Sequence, residues 1–284
     1  MYKSLINNIF SFFLIFALSS LVGILIIVIL LSLCSVAGQD TPLRLFQLIQ
    51  SIFMFIIPAY IYSKRESQDP FKWLGLKNKV SVSQFIMASL AIIISIPFNG
   101  MIYDLNRMIS FPEFMKPIEE WLWERHNDDT ALKMLLYDTP LNLLYSLFIV
   151  GIVAGFSEEI FFRGGLQKLL YGNEKITSQK AYTSIVITSL IFSAFHLDFF
   201  GFFPRFIIGG LFFGVLYYWT GALWLTIWSH LFYNSTYFLT SIYLEKYFEN
   251  YSELENISYP IYIYILSTIG FCAIIYWFYK KRIR

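Results

Sequence analysis

Apolar residues run along most of this chain in blocks of about twenty, the length an α-helix needs to cross the hydrocarbon core of a bilayer. Eight blocks are predicted as transmembrane helices, over 9–36, 44–63, 82–103, 142–171, 179–199, 203–219, 221–241 and 258–279. The sixth is short, and only a Thr220-Gly221 turn parts it from the seventh. The first follows Lys3, as a secretory signal would, but its 28 residues exceed the roughly 7–15 of a signal core. It also lacks a clean A-x-A site, and Leu33 before Cys34 suits lipoprotein cleavage poorly. We read it as a retained helix. The expected fold is an all-α, polytopic membrane helix bundle.

The charges between the blocks orient them. Residues 64–79 carry Lys64, Arg65, Lys72, Lys77 and Lys79 against Glu66 and Asp69. Lys168, Lys175 and Lys180 lie between the fourth and fifth spans against Glu174, and the chain ends in KKRIR. The positive-inside rule makes these regions cytoplasmic. The loop 104–139 holds eight acids and four bases, and 242–257 has four glutamates against Lys246, so both read as outer loops. Eight spans then place both termini in the cytoplasm. Within the first outer loop, 118-IEEWLWERH-126 is helix-like with aromatic and acidic faces, as for a helix lying on the membrane surface. His126 there reads as a solvated surface histidine.

Composition agrees with the pattern: 57% hydrophobic and only 14% charged residues, where a soluble domain has about 25% charged. Net charge +2, with no basic block, argues against a nucleic-acid partner. Cys34 and Cys272 sit in apolar runs and read as buried, unpaired thiols. No internal repeat or low-complexity linker appears. We divide the chain into an N-terminal region over residues 1–141, a core over 142–241, and a final loop and helix over 242–284. The small-residue spacings 151-GIVAG-155 and 210-GLFFG-214 predict close packing of the fourth and sixth spans.

Few polar groups remain at membrane depth. They are Glu158, Glu159 and Arg163 in the fourth span, His196 near the end of the fifth, and His230 with Asn234 in the seventh. A charge at the bilayer centre costs about 2.5–3.5 kcal/mol on insertion scales, so such residues face a bundle interior and mark function by default. Glu159 and Arg163 stand i, i+4 and can pair on one helix face. Glu158 lies about 100° round the helix, leaving its carboxylate available. Phe192 with His196, and His230 with Asn234, are also i, i+4. Glu158, His196, His230 and Asn234 lie roughly 21, 27, 14 and 20 Å from the cytoplasmic ends of their helices, so one site can hold them all. Each has a plainer reading. Glu159–Arg163 can be a structural ion pair, and His230 with Asn234 can be interhelical glue. His196, beside Asp198, can snorkel to the interface. Their joint occurrence points to a site.

These residues form 158-EEIFFR-163 (EExxxR), 192-FSAFH-196 (FxxxH) and 230-HLFYN-234 (HxxxN). In this order on the fourth, fifth and seventh spans, they resemble the CPBP family, the CaaX-protease and bacteriocin-processing enzymes also called Abi. The resemblance covers about 142–241, and 71-FKWLGLK-77 resembles an LGL element of prokaryotic members. It implies an intramembrane endopeptidase. Glu158 would be the general base that activates water, assisted by His196, while His230 and Asn234 would stabilise the oxyanion. Glu159, Arg163 and Phe192 would support the site. Chemistry agrees with the donors, since Asn and His N–H groups are usual oxyanion partners.

A zinc cofactor stays open. Glu158, His196 and His230 match a catalytic ligand set with an open position, and the family resembled is often described as metalloprotease. The chain lacks HExxH, however, and the same groups suffice for a glutamate-driven reaction without metal, which we prefer. The implied partners are the lipid bilayer and a peptide or protein substrate. With no eukaryotic targeting signal, the expected setting is a bacterial plasma membrane, and the expected role is peptide maturation or bacteriocin self-immunity. Two other functions use the same residues: a non-catalytic immunity or scaffold protein, and a proton-coupled transporter. The transporter predicts matching inverted halves, which the sequence does not display.

Overall fold

The N-terminal apolar run folds as one 33-residue helix, α1 (Tyr2–Cys34), in a computed structural model that describes residues 2–34, 41–126, 139–172, 176–247 and 259–283. α2 (41–66) returns along it, and a helical turn at Pro70–Trp73 leads to α3 (Val82–Arg107). A surface helix α4 (Lys116–His126) precedes α5 (Pro140–Tyr171), α6 (Ser178–Phe195) and α7 (Phe202–Thr220). α8 (Leu223–Tyr247) and α9 (Ile261–Lys280) complete the bundle. There is no strand among the described residues. The starts are written in the sequence. Ser81 and Gln84 form a capping box on α3, Thr139 accepts from Asn142 N–H at 3.2 Å on α5, and Thr177 accepts from Lys180 N–H at 3.3 Å on α6.

Six helices, α1, α2, α3, α5, α7 and α9, are long and apolar enough to cross a membrane, so this is a multi-pass helical membrane protein. α6 and α8 are not among the six. They occupy the fifth and seventh predicted spans, and they are the helices whose ends and faces carry His196, His230, Asn234 and a row of hydroxyl residues. Burial shows which helix is central. In α7, 61% of the apolar window lies inside the protein, against 17–28% in the other five. Those five turn most of their surface outward, where lipid meets side chains such as Phe10, Leu14, Leu18 and Leu21 of α1. Cys272 on α9 is likewise free and exposed rather than buried; a thiol facing acyl chains gives up little hydration.

α3 and α9 pack along each other. Pro97 lies inside α3, and Ser267 of α9 bonds to backbone groups on either side of it. Its hydroxyl donates to Ile94 O at 2.5 Å and accepts from Phe98 N–H at 3.0 Å, so the disturbed backbone groups are satisfied by a neighbouring helix. Both glycine-rich segments pack tightly, each on its own neighbour. A Cβ at Gly155 of α5 would come 3.0 Å from Leu231 N of α8, and one at Gly210 of α7 would come 2.5 Å from Ser189 Cβ of α6. α4 contains the predicted surface segment 118–126, and its Trp123 stacks on Phe200 at 3.8 Å. The His126 side chain lies outside the described residues.

The LGL element closes one end of the bundle. Leu74 O accepts from Tyr217 Oη at 3.1 Å, Gly75 O accepts from Leu223 N–H at 3.1 Å, and Leu76 O accepts from Trp224 Nε1–H at 2.9 Å. Gly75 has φ +86°, and a Cβ there would lie 2.6 Å from Gly221 O. Gly75→Ala therefore destabilises the protein by about 1–3 kcal/mol from backbone strain alone, read as earlier thermal unfolding in detergent. An unchanged unfolding midpoint would show that this loop is not docked as described.

Candidate functional site

The turn of α5 that carries the two glutamates passes directly into a π-helical stretch, Ile160–Gln167, and α7 carries another, Arg205–Phe212. Wide turns of this kind are frequent at functional sites because they displace side chains and carbonyls from the regular ladder. Here they face each other. Arg163, in the first, is fully buried. It donates from Nη1 to Glu159 Oε1 at 2.9 Å, from Nη2 to Gly209 O, and more weakly to Gly210 O at 3.5 Å. Only glycine lets these carbonyls come so near, since a Cβ on Gly209 would press on Phe192 at 2.7 Å. Phe192 in turn lies under the guanidinium, 4.6 Å from its ring centroid.

Glu159 is the hub of the buried layer. The same Oε1 that accepts from Arg163 also receives His230 Nδ1 at 2.9 Å. A carboxylate can only accept, so this contact places the proton on Nδ1 and leaves Nε2 for other work. His230 is held between the rings of Phe192 and Phe213, at 5.9 and 5.6 Å. The sequence-predicted pairing of Glu159 with Arg163 is observed, and a third partner joins it.

Above this layer the site opens. Glu158, 17% exposed at its side chain, points Oε2 toward His230 Nε2 at 3.8 Å, beyond hydrogen-bond range. That oxygen has no hydrogen-bond partner. His196 caps the end of α6, where Leu197 takes φ +52° and turns the chain away. Its Nδ1 meets Phe192 O at 2.9 Å, so Nδ1 is the donor and Nε2 carries the lone pair. His196 is an exposed residue crowded on its other sides, within electrostatic reach of Glu158, Arg205 and His230. Asn234, one turn beyond His230, donates to Val150 O at 3.0 Å. Val150 lies in a further π-helical stretch, Phe148–Val153, and the contact commits one of the amide's two N–H bonds to α5.

Sequence reasoning missed the residues that hold the His196 loop. Asn106 of α3 donates to Phe199 O at 3.0 Å and accepts from Phe203 N–H at 2.9 Å, clamping both sides of the turn. Arg205 pairs with Asp198 at 2.5 Å, and Ser193 Oγ donates to Phe202 O at 2.6 Å. Asn106 and Arg205 sit near helix ends, where polar residues are ordinary. Only Gly209 and Gly210, adjacent in an apolar run, carried a signal of close approach.

The zinc ligand set offered by the sequence is not assembled. Among the described residues no three His, Cys, Asp or Glu side chains are grouped to hold a metal ion. Glu158 and His230 approach each other, and His196 does not complete a three-ligand group with them. The family model for type II CAAX prenyl endopeptidase Rce1-like proteins matches residues 140–236, which include Glu158, Glu159, Arg163, Phe192, His196, His230 and Asn234. No curated protein and no solved structure matches the chain.

Proposed function

Because residues 140–236 are a segment of the CPBP family, which includes the CAAX-type endopeptidases, we propose that this protein hydrolyses peptide bonds of membrane-associated peptides or proteins. The observation that carries this reading is the division of labour between two adjacent carboxylates. Glu159 is saturated at Oε1 by Arg163 and His230, whereas the Glu158 side chain is partly exposed and its buried Oε2 accepts no hydrogen bond. A carboxylate so placed can take a proton from water.

The steps follow from donors and acceptors. Glu158 removes a proton from a water molecule, with His196 Nε2 accepting from the same water, and the oxygen attacks the scissile carbonyl carbon. The second N–H of Asn234 faces the developing oxyanion. His230 Nε2 joins it as a donor when the imidazole carries a second proton, because Nδ1–H stays fixed on Glu159. Collapse of the tetrahedral intermediate breaks the C–N bond, and Glu158 returns its proton to the leaving amine. Arg163 holds the Glu159 carboxylate in place throughout, so it acts through His230 as a positioning residue.

Purified protein in lipid nanodiscs, given a fluorogenic peptide library in water enriched in oxygen-18, tests the proposal. We expect fragments whose new carboxyl group carries one heavy oxygen, formed equally with and without a chelator. Fragments that disappear on chelation and return with added zinc would replace the metal-free mechanism with a metal-dependent one. No cleavage of any sequence by folded protein would favour the non-catalytic immunity or scaffold function.

A further inference from the structure

The bundle carries a second polar recess, at the end opposite to that capped by His196 and Asn106. Its volume is about 410 Å3, and it is lined by Ser67, Lys72, Trp73, Asn78, Lys168, Tyr217 and Gly221. These residues come from the loop after α2, the last turn of α5 and the α7–α8 turn. The loop is rigidly seated. Besides the three hydrogen bonds of the LGL element, Asn78 Nδ2 donates to Gly221 O at 2.6 Å. Lys168 donates to Trp73 O and lies 4.8 Å from the centroid of the Trp73 ring, so its ammonium is fixed at the wall.

The lining contains two lysines and no carboxylate. The nearby Asp69 is already spoken for. It pairs with Lys77 at 2.6 Å and accepts from Lys72 N–H at 3.1 Å, and the Lys77 ammonium holds its carboxyl below the usual range. The recess therefore has a net positive wall with additional hydroxyl and amide groups, which is the chemistry that receives a phosphate-bearing anion. Its size exceeds that of bare phosphate and suits a larger headgroup. Exposed aromatic residues mark the depth. Phe71 and Tyr60 are 51% and 39% exposed with ring centroids 6.1 Å apart, and Trp224 is 44% exposed beside Leu76. Aromatic side chains gather at the level of lipid headgroups.

We propose that this recess binds the phosphate headgroup of an anionic phospholipid, with Lys72 and Lys168 as its cationic contacts. Basic pockets between helices near the membrane surface bind such headgroups. Occupancy would join the end of α5, five residues beyond Arg163, to the turn that opens α8, the helix of His230. The site thus lies on one helix of the catalytic layer, α5, and on the turn that leads into another, α8.

The test uses the full chain in detergent, titrated with fluorescent phosphatidylglycerol, phosphatidylcholine and inorganic phosphate. We expect phosphatidylglycerol to bind in preference to phosphatidylcholine, and inorganic phosphate to compete weakly. Lys72→Gln, an exposed position, weakens binding about fivefold, and Lys72→Gln with Lys168→Gln weakens it about 25-fold. Lys79→Gln, equally exposed in the same loop but outside the recess, leaves it unchanged. Thermal unfolding of each variant confirms that it is folded, and Lys72→Gln alone decides the matter where the double variant is not. Binding unaffected by Lys72→Gln, or weakened equally by Lys79→Gln, overturns the site. Inorganic phosphate that binds as tightly as the lipid overturns the headgroup assignment in favour of a soluble phosphate ligand.

Discussion

Glu158→Gln lowers the rate of peptide hydrolysis by about 10²–10⁴-fold, the contribution of a general base, and leaves thermal stability within about 0.5 kcal/mol of the parent. The reason is where the side chain sits. Glu158 Oε2 makes no hydrogen bond and the side chain is partly exposed, so a neutral amide of the same shape disturbs no buried partner. The amide cannot accept the proton of water, and the substrate can still bind. Steady-state kinetics should therefore show the loss in kcat with KM little changed. Glu159→Gln provides the contrast. Its charge serves two donors inside the protein, so its loss strands Arg163 as a buried cation and weakens the hold on His230. Both activity and folding fall together. A Glu158→Gln enzyme that cleaves at the parental rate would remove Glu158 from the reaction and leave the site without its base.

The difference between these two neighbours was legible in the sequence because it is a matter of helix phase. Glu159 and Arg163 share a face at i, i+4, and Glu158 cannot join them. The same periodicity brought out Phe192 with His196 and His230 with Asn234, and the apolar blocks located the helices in order. Where the sequence says less, the cause is physical. Hydropathy treats each block alone, whereas α6 and α8 tolerate Ser193, Ser229 and His230 only because neighbouring helices enclose them. The π-helical stretches have no composition of their own, so the approach of Gly209 O to Arg163 could not be read from spacing. The bond from His230 Nδ1 to Glu159 links residues 71 positions apart, and nothing in either motif specifies it. This bond also refines the oxyanion assignment of His230. Its free nitrogen donates only in the doubly protonated ring, so its role in the reaction depends on Glu159.

Arg163→Met should cost about 3–5 kcal/mol, enough to unfold the protein in detergent near room temperature. Methionine keeps the apolar stem but not the guanidinium, so the loss reports the charge together with its hydrogen bonds. The substitution leaves Glu159 as a carboxylate with no exposure and no cation, and it removes the side-chain donor to the Gly209 carbonyl. Each orphaned buried acceptor adds about 1–3 kcal/mol. Arg163→Lys keeps the charge but cannot reach Glu159 Oε1 and the Gly209 carbonyl at once, because one ammonium lacks the guanidinium's planar fork. Its unfolding midpoint should lie between the other two. Replacing both partners, Glu159→Leu with Arg163→Met, removes the uncompensated charge and should restore much of the stability, since apolar pairs commonly replace buried ion pairs at little cost. Activity should not return with it, because His230 then has no acceptor for Nδ1–H and its ring is no longer held toward Glu158. Thermal unfolding and kcat measured on the four proteins separate the two roles. A double variant that is both stable and fully active would reduce the ion pair to packing, whereas one that is stable and inactive shows that the buried pair orients the histidine.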